Sequence, residues 1–181
     1  MQSEKIIERI VSWLKDYAEK AGVKGYVIGV SGGVDSGVVS TLCAMTGLKV
    51  LALEMPIRQQ KDQASRALEH IDFLKNKFPN VEGFTVDLNE PFEALYKTFD
   101  VKDDEFPAEK LAFANTRSRL RMLTLYYYGQ INGLLVCGTG NKVEDFGIGF
   151  YTKYGDGGVD VSPIADLYKT EVYALARALD L

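Results

Sequence analysis

The sequence predicts an α/β protein in which a parallel sheet lies between two layers of helices. Segments typical of strands alternate with segments typical of helices along the 181 residues, as in proteins built from β-α-β units. The strand segments, such as "GYVIGV" and "KVLALEM", are continuous apolar runs, which are typical of strands covered on both faces. The composition, 46% hydrophobic and 25% charged, is that of an ordinary globular chain. We therefore expect one three-layer α/β/α domain over residues 1–181.

The elements follow one another in a regular order. Residues 4–21 place apolar side chains on one helical face, and residues 25–30 form the first apolar run, so a helix and then a strand are expected. Further helices are predicted at residues 35–46, 60–78, 107–132 and 169–181, and further strands at residues 49–55, 82–88 and 133–139. The last helix has no capping glycine or proline before Leu181, so we expect the domain to continue beyond this residue.

Charge and composition argue against several classes of function. The net charge of −4 gives no general attraction for nucleic acid. The N-terminal segment is an amphipathic, partly acidic helix, and no apolar run approaches the length of a membrane span, so we expect a cytoplasmic protein without a membrane partner. Cys43 and Cys137 lie far apart in apolar segments, which predicts two buried, reduced thiols.

Residues 31–36, "SGGVDS", follow the first apolar run and allow two interpretations. With the two preceding residues, the letters "GVSGG" fit the G-x-S-x-G pattern of a hydrolase nucleophile. A serine nucleophile needs a histidine base, and the only histidine, His70, lies beside Glu69 on a predicted helix. We expect His70 to be a solvated surface residue. The hydrolase interpretation is therefore weakened but stays open beside the second one, a loop that binds phosphate.

The phosphate interpretation accounts for more of the residues. Gly32 and Gly33 allow backbone N–H groups to converge on an anion, and the following helix directs its free N–H groups at the same point. Ser31 and Ser36 add hydroxyl donors, while the Gly-Lys dipeptide of a Walker loop is absent. A carboxylate at Asp35 would repel phosphates unless it binds a cation such as Mg²⁺. From the local sequence alone, Asp35 fits a helix N-cap equally well.

Three segments carry a family resemblance. A strand followed by "SGGVDS" resembles the pyrophosphate-binding loop of the N-type ATP pyrophosphatases. Residues 138–172, which include "GTGNKVEDFGIGFYTKYGDGGVD", closely resemble the signature segment of the NAD synthetase family, and "NTRSRLRM" at residues 115–122 resembles the helix before it. The resemblance covers residues 25–181 in order, and "KYGDGGVD" at residues 153–160 is its most specific part.

The resemblance implies a Rossmann-like fold and a ligase that forms a C–N bond. In the implied reaction, ATP adenylates the nicotinic acid carboxylate of deamido-NAD, and ammonia displaces AMP to give NAD, with pyrophosphate as the other product. Mg²⁺ is the implied cofactor, and the implied partners are ATP, deamido-NAD, ammonia and a second copy of the chain in a homodimer. The alternatives are another N-type ATP pyrophosphatase, either GMP synthetase-like or tRNA-modifying, and a nucleotide-binding module without turnover.

The family motifs also imply roles for individual residues at the matching positions of this sequence. Asp35 and Glu144 are the implied Mg²⁺ ligands, and Asp35 and Lys169 are the implied catalytic residues. The residues implied to bind deamido-NAD are Arg119, Lys153 and Asp160. Those implied to bind ATP are Gly29, Val30, Ser31, Gly32, Gly33, Val34, Asp35, Ser36, Arg58, Gln63, Thr139 and Lys169.

Overall fold

The structure, a computed structural model, describes residues 2–59, 61–99 and 106–181, without the side chains of residues 61–64. Within this part of the chain, the strands are β1 (Gly25–Gly29), β2 (Lys49–Glu54), β3 (Val81–Thr85) and β4 (Leu134–Val136). The helices are α1 (Ser3–Ala21), α2 (Val34–Met45), α3 (Lys61–Lys77), α4 (Asn89–Thr98), α5 (Pro107–Asn132) and α6 (Lys169–Ala178), and a π-helical turn occupies Val143–Gly147. The strands form a parallel sheet in the order β3-β2-β1-β4.

The apolar runs of β1 and β2 are buried on both faces of the sheet, as predicted, whereas the edge strand β3 is largely exposed. In β1, Tyr26 and Ile28 contact the core on one face, whereas Val27 contacts the core on the other. Val27 also marks the register, because it is paired with Leu51 of β2 and with Val136 of β4. Alternate side chains of one strand thus enter two separate cores, which explains the continuous apolar run in the sequence.

Helices cover both faces, which confirms the predicted three-layer, Rossmann-like arrangement. One core joins the sheet to α1, α2, α3 and α6, and the other joins it to α4 and α5. Helix α4 was not predicted from the sequence. It is held by Phe92, a fully buried side chain packed edge-on against Phe113 of α5. Among the described residues, no helix combines the length and the apolar character that crossing a bilayer requires.

The fourth strand is shorter than predicted. It ends at Val136, and the next residue, Cys137, makes a single bridge with Val161 on the returning chain. Cys137 and Cys43 are both buried and free, with their sulfur atoms 3.5 Å apart, in agreement with the prediction of two buried thiols. Burial raises the pKa of the Cys137 thiol, so the thiolate is disfavoured.

The strand order brings the two signature segments together. Because β1 lies between β2 and β4, the chain leaves β1 and β4 at neighbouring points on the carboxyl edge of the sheet. Ligands of open α/β sheets bind at such points. Residues 31–36 follow β1, and residues 138–147 follow β4, so the segments singled out in the sequence meet at the expected place.

Candidate active site

Residues 31–36, which we call the glycine loop, form a compact turn held by its own serines. The Ser36 hydroxyl donates to the Gly33 carbonyl at 2.9 Å, and the backbone N–H of Ser31 donates to Ser36 Oγ at 3.2 Å. Gly32 has φ +77°, in the left-handed region that residues with a Cβ rarely adopt. The serine contacts and the left-handed conformation of Gly32 together define the shape of the loop.

The glycine loop leads directly into α2. Gly33 is the N-cap and has no side chain to accept a hydrogen bond from the first turn, so the N–H groups of that turn and the positive end of the helix dipole face the loop. Asp35 lies one residue inside the helix. The alternative that Asp35 caps the helix is therefore excluded, and its carboxylate is available for other contacts.

The Asp35 carboxylate contacts the Lys169 ammonium, which also contacts Glu144. Lys169 Nζ is hydrogen-bonded to Asp35 Oδ2 and lies 3.2 Å from Glu144 Oε1. We call Asp35, Glu144 and Lys169 the carboxylate cluster. Its members come from three elements, namely α2, the π-helical turn and the first residue of α6. Two carboxylate oxygens of the cluster therefore converge on one cationic group.

The contacts within the carboxylate cluster favour the charged form of Lys169. Burial alone lowers the pKa of Lys169, but the hydrogen bonds to Asp35 and Glu144 outweigh burial, and the net pKa is raised. The start of α6 is held by Glu171, whose carboxylate accepts a hydrogen bond from the backbone N–H of Tyr168 at 2.8 Å. This capping contact orients the first residue of the helix.

Asn141 is a site residue that the sequence analysis missed. Its side chain is fully buried, and Nδ2 donates to Asp35 Oδ1 at 3.1 Å. Its Oδ1 accepts from the backbone N–H groups of Val143 and Glu144 at 3.1 and 3.2 Å. A usable signal was present, because an asparagine three residues before an acidic segment is a common cap of a helical turn.

The segment after β4 is also closely packed. A Cβ at Gly140 would lie 1.9 Å from Asp145 Oδ2, so any larger residue at this position would displace the Asp145 carboxylate. Burial is the main cause that raises the pKa of Asp145, and the charges of Asp156, Glu144 and Asp35 add to it. Residues 138–141, "GTGN", thus hold the π-helical turn close to the end of β4.

A cavity of about 680 Å³ opens beside the glycine loop. This volume is in the range of small-molecule sites. Five of the residues implied to bind ATP line it, namely Gly29, Val30, Ser31, Arg58 and Thr139. Asp35, Glu144 and Lys169 are not among the residues that line this cavity.

Arg117 and Arg121 of α5 line the same cavity, whereas Arg119, the predicted ligand residue of this helix, does not. The two residues are four positions apart and therefore share a face of the helix, whereas Arg119 faces elsewhere. Arg121 Nε donates to the Met55 carbonyl at 2.9 Å, and burial, together with the Arg117 charge, lowers its pKa. The i, i+4 spacing in "RSRLR" was the signal for this pair.

Arg119, Lys153 and Asp160, which we call the α5 group, are exposed and contact protein groups other than one another's side chains. Arg119 Nε donates to the Lys153 carbonyl at 3.2 Å, and Lys153 Nζ lies 5.0 Å from the centre of the Tyr154 ring. Both Asp160 oxygens are engaged, one by the Tyr126 hydroxyl at 3.0 Å and the other by the Val136 N–H at 2.8 Å. The hydrogen bond and the charge of Asp160 add to burial, which is the largest cause, in raising the pKa of Tyr126 to about 12.

Two further predicted ATP residues lie after β2. Arg58 has φ +47° and makes a bidentate pair with Glu93 at 2.6 and 3.0 Å while its guanidinium covers the Tyr96 ring. Gln63 belongs to α3, and its side chain lies outside the described residues. The Arg58 charge is therefore partly neutralised within the chain.

The expectation that His70 is a solvated surface residue is wrong. His70 is only partly exposed, and its Nε2 lies 2.9 Å from Ser40 Oγ on α2. Burial lowers the pKa of the imidazole, which favours its neutral form. His70 also lines a second cavity, of about 360 Å³, on the other side of the glycine loop together with Gly32, Gly33, Val34 and Ser36. The prediction failed because α3 packs this residue against α2.

Comparison with known sequences identifies the family to which this architecture belongs. A sequence model described as NAD synthase matches residues 6–181. The chain belongs to the NAD synthase family. It is 41% identical over 182 residues to the NH₃-dependent NAD⁺ synthetase of Carboxydothermus hydrogenoformans, covering 98% of this chain and 71% of the relative. It is 39% identical over 180 residues to the enzyme of the same name from Finegoldia magna, covering 99% of this chain and 70% of the relative.

Solved structures of the NAD synthase family have the same fold. The NH₃-dependent NAD synthetase of Campylobacter jejuni matches with a TM-score of 0.88 and 34% identity, covering 100% of this chain and 75% of that one. A protein named NMN synthetase from Francisella tularensis also matches with a TM-score of 0.88 and 34% identity, covering 99% of this chain and 71% of that one. The predicted family, fold and class of enzyme are thereby confirmed.

Proposed function

We propose that this member of the NAD synthase family converts deamido-NAD to NAD, with ATP to activate the nicotinic acid carboxylate and ammonia as the nitrogen donor. The carboxylate cluster carries the proposal, because Asp35 and Glu144 direct oxygens at one cationic group beside the glycine loop. An anion-binding loop next to a cation site is suited to the cleavage of ATP between its α and β phosphates.

The proposed reaction has two steps. A carboxylate oxygen of deamido-NAD bonds to the α-phosphorus of ATP, the bond from that phosphorus to the oxygen of the β-phosphate breaks, and pyrophosphate leaves. Ammonia then bonds to the carbonyl carbon and loses a proton, and the bond from this carbon to the AMP oxygen breaks. Because the chemistry is intrinsic to the reactants once the carboxylate is activated, the chain mainly positions them and stabilises charge.

The residues present fit Mg²⁺. Asp35 Oδ2 and Glu144 Oε1 contact the same ammonium group, so the same two oxygens can share a divalent cation. No group of three or more His, Cys, Asp or Glu side chains is arranged to hold a metal within the described residues. A pair of carboxylates suits Mg²⁺, which keeps several waters and takes further ligands from phosphates. When bound, the ion would neutralise charge on the phosphates of ATP.

The remaining roles follow from position and charge. The N–H groups of the glycine loop and the first turn of α2 bind the departing pyrophosphate. Asp35 and Glu144 would hold the divalent cation, and Lys169 would then donate to a phosphate oxygen. The Thr139 hydroxyl donates from the segment that follows β4. Arg117 and Arg121 balance nucleotide charge in the larger cavity. The α5 group binds deamido-NAD.

A homodimer and a cytoplasmic location stay predictions. The exposed apolar side chains that support a homodimer lie on α5, in the π-helical turn and just after that turn, namely Leu123, Tyr127, Ile131, Phe146 and Phe150. Apolar groups of this size on one region of a surface are typical of an interface. We expect a second copy of the chain to cover them, and sedimentation of the full-length protein at several concentrations checks this.

Nicotinate mononucleotide is a second candidate substrate, because one protein of similar structure is named NMN synthetase. The test is incubation of the full-length protein with ATP, Mg²⁺, ammonium and either deamido-NAD or nicotinate mononucleotide, followed by chromatography of AMP and the amidated product. We expect AMP and NAD in equal amounts from deamido-NAD. A clear preference for the mononucleotide would favour the second candidate, and AMP formation only with xanthylate or tRNA would contradict the proposal.

A further inference from the structure

Asn141 uses both ends of its side-chain amide to link the Asp35 carboxylate to the backbone of the turn that carries Glu144. Its Nδ2 donates to Asp35 Oδ1 at 3.1 Å, and its Oδ1 accepts from the N–H of Glu144 at 3.2 Å. The residue is 0% exposed, so water does not compete for these contacts. One rigid planar group therefore spans the distance from α2 to the turn that carries Glu144.

The oxygen and the nitrogen of the Asn141 amide have different roles. At the oxygen end, Asn141 caps the π-helical turn by accepting from the N–H groups of Val143 and Glu144, as asparagine commonly does at the start of a helix. At the nitrogen end, it holds Asp35 Oδ1, which leaves Oδ2 directed at the shared cationic group. Hydrogen bonds of this kind behind a ligand fix its orientation and tune the affinity of a cation site.

The chemistry of the position explains why asparagine suits it. A donor must face Asp35 and an acceptor must face the turn, and a buried group that lacks either partner is costly. Aspartate would present an oxygen to the Asp35 carboxylate, and serine could cap the turn but is too short to reach Asp35. Among the side chains of this size, the amide alone supplies both contacts.

We propose that Asn141 is a positioning residue that sets the arrangement of Asp35 and Glu144 for a divalent cation bound with ATP. This inference rests on the proposed function, since it assumes that these two carboxylates hold the cation. Asn141 touches neither substrate nor phosphate in this role and acts through the carboxylates. Its loss is expected to weaken the cation's contribution to nucleotide binding rather than nucleotide binding in general.

The test measures the affinity of the full-length protein for α,β-methylene-ATP, which is not cleaved between its α and β phosphates, with and without Mn²⁺ by calorimetry. The ratio of the two dissociation constants reports the coupling between cation and nucleotide. We expect Asn141→Ala and Asn141→Ser to reduce this ratio by about 10-fold or more, as is typical when a group behind a metal ligand is removed. Affinity without Mn²⁺ should change by no more than about twofold.

Asn80→Ala is the matched control. Asn80 also uses its amide to join two segments, with Nδ2 donating to the carbonyls of Ala44 and Leu48 at 2.9 and 2.7 Å, but it lies at the opposite edge of the sheet. We expect it to lower the melting temperature without changing the Mn²⁺ ratio. Asn141→Ser keeps a cap for the turn and so carries the test if the alanine variant does not fold.

The outcomes separate this inference from the proposed function. A wild-type Mn²⁺ ratio in Asn141→Ser would overturn the inference while leaving the proposed function intact. Equal losses with and without Mn²⁺ would mean that Asn141 has only a structural role, which also overturns it. Absence of any Mn²⁺ effect in the wild-type protein would contradict the cation site itself, and with it both proposals.

Discussion

The carboxylate cluster and the α5 group differ in what their side chains contact. In the carboxylate cluster, the charged atoms contact one another, and the fully buried Asn141 supports them from behind. In the α5 group, all the side chains are exposed and contact backbone atoms, a tyrosine ring or a tyrosine hydroxyl. In the first arrangement the charged groups pair with one another, whereas in the second the charges of Arg119 and Lys153 meet only a backbone carbonyl and an aromatic ring within the described part of the chain, and can also meet a ligand or a second copy.

This difference predicts different consequences of substitution. A pre-organised cluster loses its function when any member is removed, because the partners left behind are partly buried charges. Exposed charges contribute individually and are screened by water. Substitutions in the carboxylate cluster should therefore reduce the rate of AMP formation, and those in the α5 group should raise the KM for deamido-NAD.

The largest effect is expected from Asp35→Asn. The substitution removes a cation ligand and should lower the rate of AMP formation by about three orders of magnitude, because bound cations contribute several kcal/mol of charge stabilisation. AMP is measured by chromatography after incubation with ATP, Mg²⁺, ammonium and deamido-NAD. Asp72→Asn is the control, since Asp72 also contacts a lysine, Lys75 at 3.3 Å, on an exposed face of α3. Wild-type rates in the Asp35 variant would refute a ligand role.

Lys169→Gln is expected to have the second-largest effect. Loss of its ammonium should reduce the rate of AMP formation by about 100-fold, as removal of one donor to a developing charge commonly does. The same substitution should strengthen the binding of Mn²⁺ in the absence of nucleotide, because the ammonium no longer competes for Asp35 and Glu144. Electron paramagnetic resonance of free Mn²⁺ measures this, with Lys75→Gln as control. Weaker Mn²⁺ binding in the Lys169 variant would count against competition for a shared site.

The fold could be predicted from sequence because its elements are specified by local patterns. The predicted helix at residues 107–132 has the bounds observed for α5, which begins at a proline and ends before Gly133 in the left-handed conformation. The sheet order was not predicted. Helix α4 was missed because it contains Pro91 and is only ten residues long, too short to show a clear helical repeat of apolar residues. Local signals specify the type of element but not its neighbours.

The candidate site could be predicted only in part. The residues of the carboxylate cluster came from a resemblance, and the structure adds that they lie together. Asn141 and Asp35 are 106 positions apart, so no periodic pattern connects them. His70 was wrongly expected to be solvated because its burial depends on how α3 packs against α2. Contacts between distant segments are the part that a sequence pattern does not contain.

Lys153→Gln is expected to have a smaller effect that is confined to the dinucleotide. Removal of one charge-assisted contact, worth about 1.5 kcal/mol, should raise the KM for deamido-NAD by about tenfold and leave the KM for ATP unchanged. Lys77→Gln is a matched control, because Lys77 Nζ lies 5.0 Å from the Phe73 ring, as Lys153 Nζ does from Tyr154. If Lys153→Gln lowered the maximal rate as much as Asp35→Asn does, the proposed difference between the carboxylate cluster and the α5 group would be wrong.

The smallest expected effect concerns Asp160, the member of the α5 group whose two oxygens are both engaged within the chain. The pKa of Tyr126 is raised from 10.0 to about 12 by burial first and then by the hydrogen bond and charge of Asp160. Since the folded protein favours the neutral phenol, this group stabilises the fold fully below pH 10.0, and its contribution is lost as pH rises to about 12.

Asp160→Asn should therefore lower the pKa of Tyr126, but to a value that stays above 10.0 because burial remains. Absorbance at high pH, taken as the difference between each protein and its Tyr126→Phe derivative, isolates this one phenol. A lowered pKa of Tyr126 together with an unchanged KM for deamido-NAD would mean that Asp160 has a structural role, in which it accepts a hydrogen bond from the Val136 N–H of β4. A raised KM would keep it in the α5 group as a ligand contact, because an amide accepts hydrogen bonds but carries no charge.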